Sequence, residues 1–467
     1  MRQRAFVGLS PVTVAALACL SITSGGCGSC GDDDNPTNTT TTTPKQRDAG
    51  SGSEPYDGSV DKPRPDAGSS QANPGDPEPG LSGSCAIDSN KIFSVAKRDE
   101  PFTSTPLAVD PIHSRFALPY VADGSCLDAV HWASMAGAAT SGAPAESVAV
   151  ETCALVRDAA ATAMGDYWLI ASTDTRKAPY DVWVGKYEGT SSQGSDAQRI
   201  SQNSHVETAL GLATLSSGDK ALIAYADEDP QAGQGLFVRA LDANGKPTAE
   251  AERIDHSTSL YYTSLSIKPL GTGAGLAYVR YALDYTTSEI VFVPLDATGK
   301  ATREPWVLAK AAGPSPSIDF IMDSEGGGIA YSIAEASTGR QVWFQQIDST
   351  GMAAPQPSNT GRMPALRIVN SPQRGIDVAL TKLRSSYILT YRALPSGNET
   401  RAMLRVYFLD RFGAVIGSSD VSYTSQGGGR TAVASSNDGR VALAWNEVND
   451  DGSSTLKMVR LPCLGGS

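Results

Sequence analysis

A pair of strands recurs seven times in this chain, at intervals of about 53 residues. The first strand of the pair is apolar and closes on an aromatic. It reads ALIAY ending at Tyr225, GLAY at Tyr278, GIAY at Tyr331, ILTY at Tyr391 and ALAW at Trp445. Upstream, FALPY ends at Tyr120, and WLIAS puts Ser172 at the same position without the aromatic. The second strand follows about 17 residues later and ends Leu/Ile-Asp-x-x-Gly in four copies. In these, Asp242 precedes Gly245, Asp296 precedes Gly299, Asp348 precedes Gly351 and Asp410 precedes Gly413. An Asp side chain accepts from backbone amides two or three residues on, and Gly tolerates positive φ, so each is read as a hairpin turn. Divergent copies around Trp132, Tyr187 and Leu461 keep the strand and lose the turn.

Two weaker strands complete each unit. One precedes the aromatic strand, as in TALGLATL, and a short polar one follows the glycine turn, as in AERID. Four short strands per repeat are the rhythm of a propeller blade, and no sustained 3.6-residue pattern competes with it. The expected fold is all-β, a seven-bladed β-propeller, with six and eight as the neighbouring counts.

The phase of the repeat exposes a gap. The last copy ends after its third strand, LKMVRL, at Cys463. The segment Lys91 to Lys97, KIFSVAK, precedes the first full blade and is free to supply the missing strand, closing the ring. That arrangement brings Cys85 beside Cys463. The same geometry pairs Cys126 with Cys153 in the first blade. An exported chain meets an oxidising compartment, where disulfides are the default. Closing a loop of nearly 380 residues restrains the unfolded chain by roughly 4–5 kcal/mol in the entropic model.

Export is read from the N-terminus. Arg2 and Arg4 precede an apolar run from Ala5 to Leu20, a secretory n-region and h-region. The run ends SITSGGC, which resembles a bacterial lipobox, with Ser24 where an aliphatic residue is usual. Lipidation at Cys27 is the expectation, with Cys19 and Cys30 as competing sites. Several acyl chains anchor firmly where one binds reversibly. Residues 28–84 are Gly, Ser, Thr, Pro, Asp and Asn with almost nothing apolar, so they are expected to be a disordered tether. Its random-coil reach is about 40 Å. The expected organisation is therefore a signal peptide over 1–26, a tether over 27–84 and the propeller over 85–467, on the bacterial cell envelope, at the outer membrane.

Chemistry is harder to find. The net charge is −12 and no Lys/Arg cluster appears, which argues against nucleic acid. No G-x-S-x-G, phosphate-binding loop or dinucleotide fingerprint is present, so no cofactor is expected. The four histidines, His113, His131, His205 and His256, form no metal-ligand spacing; His205 and His256 are read as repeat echoes in loops between blades. Asn449, Asp450 and Asp451 before Gly452 read as a solvated hairpin. The glycine runs 326–328 and 427–429 are read as joining blades.

What remains is one rim. Loops joining the second and third strands, together with those linking blades, line one face of a propeller, and propellers use that face for ligands. The candidates there are Asp227, Glu228 and Asp229, then Arg280, Asp284, Tyr285 and Glu289, then Arg340, Arg392, Glu447 and Asp450. Over residues 85–467 the chain resembles the repeat propellers of bacterial cell-surface lipoproteins. Sialidase-like enzymes share the blade, but their S-x-D-x-G-x-x-W turn is not matched by SSNDGRVALAW, and kelch and W-D signatures are missing. The resemblance implies architecture and little about activity. The leading expectation is a monomeric surface-displayed binding or scaffold module for a protein or glycan of the envelope or matrix, touching the membrane only through its lipid. A glycan-active hydrolase or lyase on the same rim is the alternative. A partner in outer-membrane assembly is a third, marked by an exposed apolar patch.

Overall fold

The repeat folds into seven antiparallel four-stranded sheets among the described residues. The computed structural model describes residues 85–467 except 86, 100–106, 111–113, 124–127, 136–143, 176–179, 189–196, 202–205, 230–232, 285, 313–316, 336–338, 357–360, 369–373, 395–402, 423–429, 450 and 464–467. Blade one comprises Ala108–Asp110, Arg115–Asp123, Asp128–Met135 and Ala145–Ala154. Blade two comprises Val156–Met164, Tyr167–Asp174, Asp181–Glu188 and Gln198–Arg199. Blade three comprises Val206–Thr214, Lys220–Asp229, Gly233–Asp242 and Glu252–Ser257. Blade four comprises Leu260–Leu270, Gly273–Ala282, Thr287–Leu295 and Trp306–Ala312. Blade five comprises Ile318–Asp323, Gly326–Glu335, Gly339–Ile347 and Leu366–Arg367. Blade six comprises Arg374–Leu383, Ser386–Leu394, Met403–Leu409 and Val415–Ser422.

Blade seven is composite. Thr431–Ser435, Arg440–Val448 and Ser454–Pro462 come from the C-terminal end, and Phe93–Arg98 adds the fourth strand. Its register pairs Phe93 with Met458 and Arg98 with Ser454. Lys91 itself lies in a 3-10 turn just before the strand. Cys85 and Cys463 are disulfide-bonded across 378 residues, with Cα atoms 4.2 Å apart. Both are buried, among Trp445, Val459 and Leu461.

The ring is closed from the inside. The first strand of each blade touches the first strand of the next, blade seven to blade one included. Side chains stitch these innermost strands together. Thr162 meets Thr214 at 3.0 Å, and Thr381 meets Ser435 at 2.8 Å. Asp319 spans three blades, accepting from Ser266 Oγ at 2.7 Å and from the Leu380 amide at 3.0 Å.

The apolar core is divided among seven clusters, one in each seam between neighbouring blades. The periodic aromatics explain this division. Side chains alternate across a strand, so a residue at a fixed blade position always faces the same neighbour. Tyr120, Tyr225, Tyr278, Tyr331, Tyr391 and Trp445 all pack into the seam with the preceding blade. Each is almost fully buried, a contribution of about 1.5–3 kcal/mol per side chain.

The Asp-x-x-Gly turns join third to fourth strands. Asp296 Oδ1 accepts from the Thr298 amide at 2.8 Å and the Lys300 amide at 3.1 Å, two and four residues on. The same two-and-four pattern holds for Asp242, Asp348 and Asp410. The sequence spacing suggested two or three, but the hairpin carries the chain one residue further before an amide turns inward. Gly299 has φ of 92° and donates to the Asp296 carbonyl at 3.1 Å. The turn glycines also dock on the preceding blade. Added Cβ atoms on Gly245 and Gly299 would meet Val184 at 2.9 Å and Val238 at 3.0 Å, and those on Gly351 and Gly413 would run into Phe292 and Phe344.

Two expectations need correcting. Gly326, Gly327 and Gly328 do not join blades; they open the second strand of blade five. The third strand passes so close that a Cβ on Gly326 would lie 2.5 Å from the Ile347 carbonyl. His256 lies in the fourth strand of blade three and not in a loop between blades. His113, His205 and Gly427–Gly429 fall outside the described residues, as do Cys19, Cys27 and Cys30. So does Cys126, and with it the pairing to Cys153; the backbone of Cys153 lies within the fourth strand of blade one rather than after it.

Candidate functional site

The rim residues are carried by strands more than by loops. Each second strand continues three or four residues past its aromatic, to Asp229 in blade three, Ala282 in blade four, Leu394 in blade six and Val448 in blade seven. Asp227, Glu228, Asp229, Arg280, Arg392 and Glu447 therefore sit on ladder rungs, where the sequence suggested surface turns. Arg280, Arg392 and Glu447 are accommodated in these strands by ion-pair partners on an adjoining strand or blade.

Arg280 organises the most developed cluster. It stands two residues beyond Tyr278, so it faces the seam with blade three. A single rung crosses all four strands of blade four, from Tyr262 to Arg280 to Glu289 to Lys310. Arg280 Nε donates to Glu289 Oε2 at 2.8 Å, and Arg280 Nη1 donates to Asp255 Oδ2 of blade three at 2.9 Å. Lys310 Nζ lies 2.8 Å from Glu289 Oε1, and the Tyr278 hydroxyl donates to Asp255 Oδ2 at 2.7 Å. Two carboxylates thus share one guanidinium, with a phenol and an ammonium completing the set. Burial opposes ionisation of Glu289, but hydrogen bonds from Lys310 and Arg280 outweigh it and hold the carboxyl below its ordinary range. Burial, then the charge of Asp255, pushes the Tyr278 hydroxyl well above its ordinary range, so it remains a donor.

Blades six and seven repeat the logic with other residues. Arg392 is buried, and its Nη2 lies 2.7 Å from Asp377 Oδ2 on the neighbouring strand. Asp377 holds φ of 53° at a bulge in the first strand. Thr431 of blade seven donates to the Asp377 carbonyl at 2.7 Å. Glu447 accepts from the Trp445 indole at 3.1 Å and meets Lys457 Nζ at 2.5 Å.

The remaining candidates divide. Asp227 is buried at the end of its strand. Asp284 lies in an exposed turn, where it accepts from the Thr286 amide at 3.0 Å and hydroxyl at 2.7 Å. Arg340 has its backbone in the third strand of blade five, and its side chain is outside the described residues, as are Tyr285 and Asp450. Beside Asp450, Asp451 accepts from the Ser453 amide at 2.9 Å within the expected hairpin.

Sequence reasoning missed Asp255, Asp377, Lys457 and a pair of aspartates in blade two. Asp174 and Asp181 are directly opposed on the second and third strands and both fully buried. Arg199 Nη2 donates to Asp181 Oδ1 at 2.8 Å, and Ser172 donates to Asp174 Oδ2 at 3.1 Å. Ser172 replaces the aromatic in this blade alone, and that substitution was the available signal. Exposed apolar residues gather on blade six, with Phe412, Val415 and Ile416 around the turn and outer strand. Among the described residues no helix is long and apolar enough to cross a membrane.

No family model matches the sequence, and no curated protein matches it. Many solved structures are similar to it, among them the following three. One belongs to a study of two prolyl endopeptidases, at 12% identity and TM-score 0.46, over 76% of this chain and 46% of that one. A puromycin-hydrolysing peptidase of Mycobacterium tuberculosis gives 10% identity and TM-score 0.47, over 77% and 52%. An α-L-arabinanase of Penicillium chrysogenum, complexed with arabinobiose, gives 11% identity and TM-score 0.38, over 54% and 93%. The chain spans about half the length of the two peptidase chains. At these identities the likeness concerns the fold alone.

Proposed function

We propose that this chain is a lipid-anchored, surface-displayed binding or scaffold protein, presenting the rim around Arg280, Arg392 and Glu447 to a protein or glycan of the cell envelope or matrix. The observation that carries the proposal is the charge balance of that rim. Asp255 and Glu289 share Arg280, Asp377 pairs with Arg392, and Glu447 pairs with Lys457. Carboxylates paired this way are fixed in position by their cations, which suits preorganised recognition. Lipidation at Cys27 and the tether through residue 84 belong to the same proposal. The tether would enter the domain at Cys85, where the disulfide to Cys463 fixes the attachment point.

The mass of the mature N-terminal peptide tests the anchor, since an acylated Cys27 is predicted. A glycan array and an envelope pull-down, each compared between the native protein and Arg280→Met, test the rim. Loss of the captured ligand in the variant supports the proposal, and unchanged capture contradicts it.

A glycan-active hydrolase is the second reading, favoured by the opposed buried pair Asp174 and Asp181. Paired carboxylates are the working groups of glycoside hydrolysis. Product release abolished by Asp174→Asn and Asp181→Asn would support this reading against the first.

A further inference from the structure

The repeat supplies its own controls for a site on the opposite face. Where each Asp-x-x-Gly turn docks on the preceding blade, four residues recur: the docked third-strand residue, its fourth-strand partner, and the turn residues before and after the glycine. The docked residues are Val184, Val238, Phe292 and Phe344. Their fourth-strand partners are Gln198, Glu252, Trp306 and Leu366.

Three of the four slots are filled from within. Between blades three and four, Lys300 Nζ crosses to Glu252 Oε1 at 3.5 Å. Between blades four and five, the Trp306 ring packs on Phe292 with centroids 5.1 Å apart. Between blades five and six, Leu366 lies over the turn, its Cδ1 3.2 Å from where a Gly413 Cβ would stand.

The slot between blades two and three holds a depression among the described residues. Lys186, Gln198, Asp242, Asn244 and Lys246 line this depression of about 400 Å³. Gln198 stands where the other slots have Glu252, Trp306 and Leu366. Lys186 stands two residues beyond Val184, where the other blades have Ala240, Pro294 and Gln346. Its ammonium lies 4.0 Å from the centre of the Tyr167 ring, and Tyr167 donates through its hydroxyl to the Ala243 carbonyl at 2.5 Å. Its ion-pair partner Glu188, at 3.1 Å, has a side chain 70% exposed, so water screens that pair strongly. Asp242 accepts through Oδ1 from the Asn244 and Lys246 amides at 2.9 Å each, so that oxygen is committed to the turn.

We infer that this slot is a binding site for an acidic sugar. Two ammonium groups suit one carboxylate. Two carboxamides, which both donate and accept, suit the hydroxyls around it. The carboxylate of Asp242 in the lining disfavours phosphate and sulfate dianions. The volume is at the lower end of small-molecule pockets, enough for one or two sugar rings. The site is separate from the Arg280 rim, so its failure and that of the proposed function are distinguishable.

The test is calorimetric titration of the full-length protein in detergent with digalacturonate, galacturonate, galactose and a diglutamate peptide. Saturable binding of a uronate is expected, with galactose and diglutamate much weaker. The disaccharide against the monosaccharide separates a polymer-derived source from a free sugar acid. Lys246→Gln, a substitution at an exposed residue, should weaken binding about tenfold, the loss of one charge-assisted contact. Lys300→Gln, at the same place in the next seam, should leave it unchanged. Absence of saturable uronate binding, binding indifferent to Lys246→Gln, or equal affinity for diglutamate would each overturn the inference.

Discussion

Gly245 of blade three rests directly on Val184 of blade two; a Cβ added to the glycine would lie 2.9 Å from the valine Cγ1. The glycine therefore answers to two demands at once, a φ of 77° and a close approach between blades. Gly218, in the same blade, has nearly the same φ, 76°, and nothing within 4 Å of an added Cβ.

The comparison isolates the docking energy. Gly218→Ala should cost about 1–2 kcal/mol, the left-handed penalty alone. Gly245→Ala should cost about 1–3 kcal/mol more, from overpacking against a rigid β-branched side chain. Urea unfolding measures both. Val184→Ala should recover part of the excess, and strict additivity of the pair would contradict the docking account.

The disulfide predicts where the ring opens. Replacing Cys85 and Cys463 with Ser should lower stability by up to about 4–5 kcal/mol. Amide exchange should rise first in Phe93–Arg98, the only strand of blade seven that arrives from the other end of the chain. Uniform destabilisation without preferential exchange there would argue against the strand's dependence on the bond.

Much of this architecture was legible because its signals are local and periodic. The aromatic, the turn Asp and the turn Gly each act within a few residues, so their spacing counts blades and exposes the missing strand. The rim was less legible. Asp227, Arg280 and Glu447 look like loop residues because a polar side chain ordinarily ends a buried strand. They remain in the ladder because alternation turns them toward a seam, where the partner belongs to another strand or blade. Asp255 lies 25 residues from Arg280, and only the packing of blade four on blade three brings them together. Turn docking was invisible for the same reason: the Gly245 motif says nothing of Val184.

Acid should loosen the turns and the rim together. Burial raises the carboxyls of Asp296 and Asp348, but hydroxyl and amide hydrogen bonds, aided at Asp348 by Arg362, outweigh it and hold both below their ordinary 3.8. Glu289 is held below its ordinary 4.5. With folded values below unfolded ones, the stabilisation is complete above the ordinary values and is lost as pH falls through the lowered ones. The urea midpoint should stay level on this account from neutral pH down to about 5 and fall below about 4. Asp296→Asn and Glu289→Gln together should flatten that fall; an unchanged acid limb would assign it elsewhere.

The Arg280 cluster should behave as a unit. Arg280→Met leaves Asp255 and Glu289 facing the seam without their shared cation, at a cost of about 1–3 kcal/mol for a partly buried network. Glu289→Gln alone should cost less, because Asp255 still holds the guanidinium. A double-mutant cycle between positions 280 and 289 should show coupling, and a coupling near zero would reduce the cluster to surface decoration.

The central claim is that the rim binds without turning its ligand over. Its most direct test incubates the protein with each glycan, acidic sugars apart, that it captures and follows product release by mass spectrometry. The account predicts saturable binding that Arg280→Met abolishes, with the glycan recovered intact. Cleaved glycan, with cleavage lost in Asp174→Asn, would contradict it and make this propeller a hydrolase.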